Sequence, residues 1–344
     1  MYRHLIRPLL LGINPETAKN SSLKLLHFVN RLPCAETIGK LLHKKDTKCA
    51  KEVFGLNFSN AVGIAAGIDP NAEYINDLAS LGVGFVEIGS ITPKAQNGTQ
   101  KPRIFCISKD KALVSRIGSE NKGLHYVIDM LRKEKPKTMV AANLTQQANS
   151  VQEDISKDYE KTFSLLYDFV DMFILNIPNP CIGSMADLID NISEVCDRLL
   201  DLRLYYDEYR PILVKLSVDT PRVKVDEILD YCMRSGIDGI VVSGASEKMD
   251  GLSLDADQLE SIGCGRLSGA PVYERTLAMV KYVHEKSSHS LQIIASGGIM
   301  TPEQAQEMLD SGASLIQLCT AFVYDGGSAV KNIIKTLKKN SNTK

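Results

Sequence analysis

The residues best placed for chemistry lie in the stretch Phe173-Ile174-Leu175-Asn176-Ile177-Pro178-Asn179-Pro180-Cys181-Ile182-Gly183. A strand-like apolar run ends in Asn176 and passes into a Pro-Asn-Pro turn, at the carboxyl end of a strand, where parallel barrels place their reacting groups. The turn carries no base. The amide of Asn179 neither accepts a proton usefully near neutral pH nor forms an oxyanion, so it can hold a ligand but not deprotonate one. Cys181 is a thiol in the same turn, although a small cysteine is as readily an apolar packing group. Glu120 offers a carboxylate and is expected to face solvent. His125, followed by Tyr126 on a predicted helix, is expected to be structural or exposed.

Groups at loop ends need elements that hold them. After residue 52 the chain repeats one pattern: a short β-branched apolar run, a loop containing Gly, Ser or Asn, then a helical stretch. Eight such runs occur, at residues 61–65, 83–88, 138–144, 172–177, 212–216, 239–243, 292–295 and 315–319. Near-continuous apolar strands separated by helices describe a parallel sheet covered by helices, and eight such units predict an α/β fold, the closed (β/α)8 TIM barrel. An open doubly wound sheet is the competing arrangement, but no Gly-x-Gly-x-x-Gly opens the first unit. The last two units instead carry Ser296-Gly297-Gly298-Ile299 and Cys319-Thr320, as a barrel phosphate site would require. Thr301-Pro302-Glu303-Gln304 predicts a capped helix start and Ser311-Gly312 its end.

Residues 1–51 are expected to form a module apart from a barrel of residues 52–344. Pro15–Leu32 has Ala18, Leu23, Leu25, Leu26, Phe28 and Val29 on a broad apolar face, with Lys19 and Lys24 elsewhere, and Ala35–Leu42 predicts a second short helix. The module holds ten Lys/Arg against three Asp/Glu, which leaves the rest of the chain near −8 out of a total of −1. Flanked by Arg3, Arg7, Lys40, Lys44, Lys45, Lys48 and Lys51, two amphipathic helices could lie peripherally on an anionic membrane. A helical hairpin packed against the barrel floor is the other arrangement these residues allow. No apolar run reaches the roughly 20 residues that span a bilayer, and Leu5–Gly12 lacks the cleavage site of a signal peptide. A cytoplasmic chain is therefore expected. Its eight cysteines lie far apart with no Cys-x-x-Cys pair, which suits reduced thiols and no metal site. A net charge of −1, with 44% hydrophobic and 24% charged residues, argues against a nucleic-acid partner.

Several multi-residue stretches resemble the quinone-linked, class 2 dihydroorotate dehydrogenases, in matching order over nearly the whole chain. Asn60-Ala61-Val62-Gly63-Ile64-Ala65-Ala66-Gly67-Ile68-Asp69 is similar to the family's first strand and flavin-contacting turn, and Glu87-Ile88-Gly89-Ser90-Ile91-Thr92-Pro93 with Lys101-Pro102-Arg103 to its second strand and loop. The resemblance implies a flavin mononucleotide (FMN) cradle. Ala66 and Gly67 match the backbone contacts, Asn143 and Asn176 the ring amides, Lys215 the cation near the ring, and Gly269, Gly298, Cys319 and Thr320 the phosphate grip. Ser90 and Ser243 complete the expected set. It also implies a quinone as electron acceptor, reached through the N-terminal helix pair.

The substrate positions depart from the family pattern. The family's lysine after Gly-Leu/Ile-Asp is Pro70, and its Asn-Arg-Met-Gly-Phe loop is Ser115-Arg116-Ile117-Gly118-Ser119. The catalytic serine is Asn179, the asparagine after Ser-Ser-Pro is Cys181, and Thr-Asn-Thr is Ser243-Gly244-Ala245, so Asn176 alone survives among the side chains that would touch orotate. Each lost bond to a charged ligand is worth about 1.5–3 kcal/mol. The expectation is a flavoprotein with a degenerate orotate site and a pocket of lower polarity and larger volume, either a paralogue without catalysis or an oxidoreductase of changed substrate. The alternative is an active quinone-linked dihydroorotate dehydrogenase of pyrimidine biosynthesis with a rebuilt site.

Overall fold

The computed structural model describes residues 15–32, 49–177 and 187–341. Asn179, Cys181, the predicted helix 35–42 and the basic residues Arg3, Arg7, Lys40, Lys44, Lys45 and Lys48 lie outside the described residues. A hairpin of β1 (Lys51–Val53) and β2 (Leu56–Phe58) precedes β3 (Val62–Ile64) and β4 (Phe85–Ile91). Then follow β5 (Ile104–Ile107), β6 (Ala112–Ser115), β7 (Met139–Leu144), β8 (Met172–Leu175), β9 (Ile212–Ser217), β10 (Gly239–Ser243), β11 (Arg266–Gly269), β12 (Gln292–Ser296) and β13 (Leu315–Leu318). Eight of them close into a parallel barrel in the order β3-β4-β7-β8-β9-β10-β12-β13, with β13 pairing back onto β3. All eight predicted runs are barrel strands. The two antiparallel sheets, β1-β2 and β5-β6-β11, were not read from the sequence.

A barrel strand alternates between the axis and the surrounding helices. The first inward layer is Ala61, Phe85, Ala141, Ile174, Leu213, Val241, Ile294 and Leu315, one residue from each strand unit, in one buried cluster with Phe54 and Phe58. Those two rings come from the β1-β2 hairpin. Phe58 meets Phe85 edge to face at 5.6 Å, and Phe54 packs where β10 begins, so the hairpin plugs the amino-terminal floor of the barrel. The helix from Thr301 is capped as predicted, by a reciprocal Thr301–Gln304 box with Pro302 in its first turn.

The N-terminal helix α1 (Pro15–Asn30) sits at the opposite end from the floor. Glu16, Lys19, Leu23, His27 and Asn30 share the face that meets the barrel, as a period of 3.6 demands. Glu16 takes two hydrogen bonds from Arg103, His27 pairs with Asp77 at 2.6 Å, and Asn30 donates to Asp77 and Ser80. Leu25 (51% exposed) and Phe28 (65%) face outward with Val29 and Leu32. This corrects two expectations: the helix does not pack against the floor, and Lys19 belongs to its inner face while Leu25, Phe28 and Val29 of its apolar residues face away. No described helix is long and apolar enough to cross a membrane.

Candidate active site

Moving two residues along each strand from the apolar layer gives the next inward layer. It reads Gly63, Glu87, Asn143, Asn176, Lys215, Ser243, Ser296 and Gln317. The change from apolar to polar between adjacent layers locates the site at the carboxyl end of the barrel, because polar side chains on a barrel axis need partners or a ligand.

Those partners form one connected network. Glu87, fully buried, accepts hydrogen bonds from Lys215 Nζ at 2.8 Å, Asn143 Nδ2 at 2.6 Å and the Ala66 backbone N–H at 3.2 Å. Ser90 Oγ donates to Asn143 Oδ1 at 2.5 Å and accepts from Asn176 Nδ2 at 3.2 Å. Tyr159 OH fixes the Asn176 carbonyl at 2.9 Å. Five predicted residues, Ala66, Ser90, Asn143, Asn176 and Lys215, are thus brought together around a carboxylate that sequence reasoning passed over. The signal for Glu87 was present in Phe85-Val86-Glu87-Ile88, since a charge inside an apolar strand requires a buried partner.

Gln317 was passed over too. It is 2% exposed, and neither its oxygen nor its nitrogen has a hydrogen-bond partner among the described residues. An unsatisfied buried amide facing a polar layer fits a ligand or water at that position.

The expected phosphate residues also converge. Gly269 has φ +100°, and a Cβ there would lie 2.3 Å from the Lys111 carbonyl oxygen. Gly298 has φ +72°, with Tyr273 backbone atoms 2.4 Å from the place of a Cβ. Tyr273 opens the helix Tyr273–Lys286 just after Gly269, and Thr320, which opens the next short helix, donates to Ser268 at 2.9 Å. Bare backbone in left-handed conformation beside helix starts is the geometry in which N–H groups can face an anion. Burial pushes the Cys319 thiol above its ordinary pKa. Gly67, at φ +88°, is exposed with nothing within 4 Å of a Cβ, and so borders open space. Next to it the Asp69 carboxyl is pushed up to about 6 by burial, while its oxygens accept the N–H groups of Glu73 and Tyr74. The donor set, the glycine shelf and the unsatisfied Gln317 fit FMN.

The substrate positions are less uniform. Pro70 is half-buried beside Asp69, and Ser243 and Ala245 flank Gly244 at the end of β10. Ser115 ends β6, paired with Ile104 and Arg266. Ser119 offers its carbonyl to Asn121 at 2.8 Å and to Gln96 at 3.4 Å. Gly244 corrects the expectation of a roomier pocket at its position: a Cβ there would lie 2.5 Å from Thr276 Oγ1 and 2.7 Å from Gly297 Cα, so neighbouring groups already fill the space of a longer side chain. Glu120 is not a free carboxylate, since it pairs with Arg103 at 2.6 Å. Arg103, 5% exposed, holds Glu16 as well, and that bond keeps the Glu16 carboxyl below its usual pKa. His125 is exposed, as expected.

Fold and site together define a (β/α)8-barrel protein with a connected polar layer at its carboxyl-terminal mouth. The family model for dihydroorotate dehydrogenase matches residues 48–340. A protein of Coxiella burnetii named dihydroorotate dehydrogenase (quinone) is 34% identical over 353 residues, covering 100% of this chain and 99% of the relative. One of the same name from Christiangramia forsetii is 32% identical, with 97% of each chain covered. The ligand-free dihydroorotate dehydrogenase structure from Eimeria tenella superposes with a TM-score of 0.80 at 25% identity, over 89% of this chain and 94% of that one. The chain belongs to the quinone-linked, class 2 dihydroorotate dehydrogenase family.

Proposed function

We propose that the protein is an FMN-dependent oxidoreductase that passes electrons from dihydroorotate to a quinone, with a rebuilt substrate site. The connected network of Glu87, Asn143, Ser90, Asn176 and Lys215 carries this reading, because it keeps amide and ammonium groups where a flavin ring would be held. Full-length relatives that bear the name of the quinone-linked enzyme support it over loss of activity. Ala66, Gly67, Asn143, Asn176, Lys215, Ser90 and Ser243 would hold the ring end of FMN, and Gly269, Gly298, Cys319 and Thr320 its phosphate. FMN held there would supply the hydride acceptor for the substrate and the carrier that passes its two electrons on to a quinone. The chain's own part is to orient ring and substrate, with Asn176 common to both. Asn179 cannot take the substrate proton. Loss of a base costs about 10²–10⁴ in rate, which slows the reaction without abolishing it.

A second reading, oxidation of a different and less charged substrate, or binding without turnover, is favoured by Asn179, Pro70 and the filled space at Gly244. Anaerobic mixing with dihydroorotate separates the two, because bleaching of the flavin absorbance reports the first half-reaction without quinone. Bleaching supports the dihydroorotate reading, and a bound flavin that dihydroorotate leaves oxidised refutes it. We assign residues 1–51 to a peripheral, cytoplasmic membrane contact on the quinone side, supported by the outward Leu25, Phe28, Val29 and Leu32 together with the module's positive charge.

A further inference from the structure

The cations at the mouth of the barrel are not equivalent. Lys215 is neutralised by Glu87 at 2.8 Å, Arg103 by Glu16 and Glu120, and Lys122 by Glu73 at 2.7 Å. Lys19 is different. Its Nζ donates to the carbonyl of Gly67 at 2.7 Å and makes no ion pair with a described carboxylate. The nearby Glu16 is occupied by Arg103 and Lys101, and the Asp69 oxygens by two backbone N–H groups. An ammonium held by one neutral oxygen keeps further N–H donors to offer.

Its position is imposed by the helix. Glu16 anchors α1 one turn before Lys19, and buried Leu23 anchors it one turn after, so all three share the inner face. The amine meets the barrel at Gly67, which borders open space, and lies close enough to Cys319, Asp69, Glu16 and Glu120 to interact with them electrostatically. Pro70, where a lysine stands in the family pattern, contributes no charge to that mouth.

We propose that Lys19 is a cofactor-contacting residue, the ammonium group by which the N-terminal helix supplies the ring end of the FMN cradle with the cation absent at position 70. With Lys215 held by Glu87, Lys19 is a cation at the mouth whose donors no described carboxylate takes up. Positive charge there stabilises a flavin ring as it takes up electrons, so α1 contributes to cofactor affinity and potential as well as covering the barrel mouth. This inference rests on the FMN reading.

The test is fluorescence-quenching titration of apo-protein with FMN. Lys19→Met should raise the dissociation constant at least about tenfold, equivalent to about 1.4 kcal/mol, and lower the midpoint potential of the bound flavin. Lys19→Arg, which keeps the cation, should retain most of the affinity. Lys24→Met removes an equal charge from an exposed position of the same helix and should change affinity less than about twofold. Burial lowers the Lys19 pKa against the opposing pull of Cys319, Asp69, Glu16 and Glu120, so FMN affinity of the parent should fall as pH rises through that depressed value, and Lys19→Met should lose that step while any step from Asp69 remains. Unchanged FMN affinity and potential in Lys19→Met would overturn the inference, as would equal losses in the Met and Arg variants. A parent protein that binds no FMN would instead refute the FMN reading itself.

Discussion

The Glu87–Lys215 pair makes an asymmetric prediction. Replacing Glu87 by Met leaves the Lys215 ammonium, only 12% exposed, without its counter-charge, and also orphans the Asn143 amide and the Ala66 N–H. Breaking a buried pair from one side costs about 3–5 kcal/mol, and each orphaned buried donor adds about 1–3 kcal/mol before water relieves it. Replacing Lys215 by Met leaves a carboxylate that still accepts two hydrogen bonds, and should cost less, about 1–3 kcal/mol. The double Met variant removes both charges together. It should be more stable than the sum of the single losses implies by at least about 2 kcal/mol, since a buried ion pair exchanged for apolar groups of similar volume is often close to neutral. Urea denaturation of the four apo-proteins measures this cycle. Equal costs for the two single variants, or additivity within about 0.5 kcal/mol, would refute the reasoning.

Gly298→Ala should destabilise the apo-protein by about 2 kcal/mol or more and weaken FMN binding, because it combines a left-handed φ with Tyr273 backbone atoms 2.4 Å from the new Cβ; both follow from denaturation and flavin titration. Asp69 titrates near 6 in the folded protein against an ordinary 3.8, so the folded state binds the proton more tightly. Its contribution to stability is therefore largest below about pH 4 and is lost as pH rises through 6, by up to roughly 3 kcal/mol, and Asp69→Asn should flatten stability between pH 4 and 7. Leu25→Glu with Phe28→Glu should abolish co-sedimentation with anionic vesicles while leaving the melting temperature within a degree or two, since both side chains face outward; an unchanged vesicle-bound fraction would remove α1 from the membrane contact.

The barrel was legible because each strand is a short β-branched run whose burial on both faces is written in its composition, and because Gly, Ser and Asn punctuate every unit. Lys215, Asn143 and Asn176 were legible through the resemblance to the family, whose ring contacts stand at the matching strand ends. The β5-β6-β11 sheet was not, as β11 reaches β6 from about 150 residues away, and the four-residue runs of the local β5-β6 pair carry no pattern distinct from a loop. Gly244 shows how a substitution misleads. Losing a side chain suggests an enlarged cavity, yet Thr276 and Gly297 come from distant elements to fill it.

What the sequence determined by itself was the fold, the family and the polar identity of each strand end, because these depend on local composition and on order along the chain. What the tertiary structure decided was who partners whom. Glu87 became the centre of the polar layer only when β4, β7 and β9 closed around one axis. Lys19, assigned by its helix alone to a polar surface, was turned inward by Glu16 and Arg103, residues 87 positions apart. Charge pairing falls off with distance in space and takes no account of separation along the chain, so the sign of the field at the mouth is a property of the closed barrel and its docked helix.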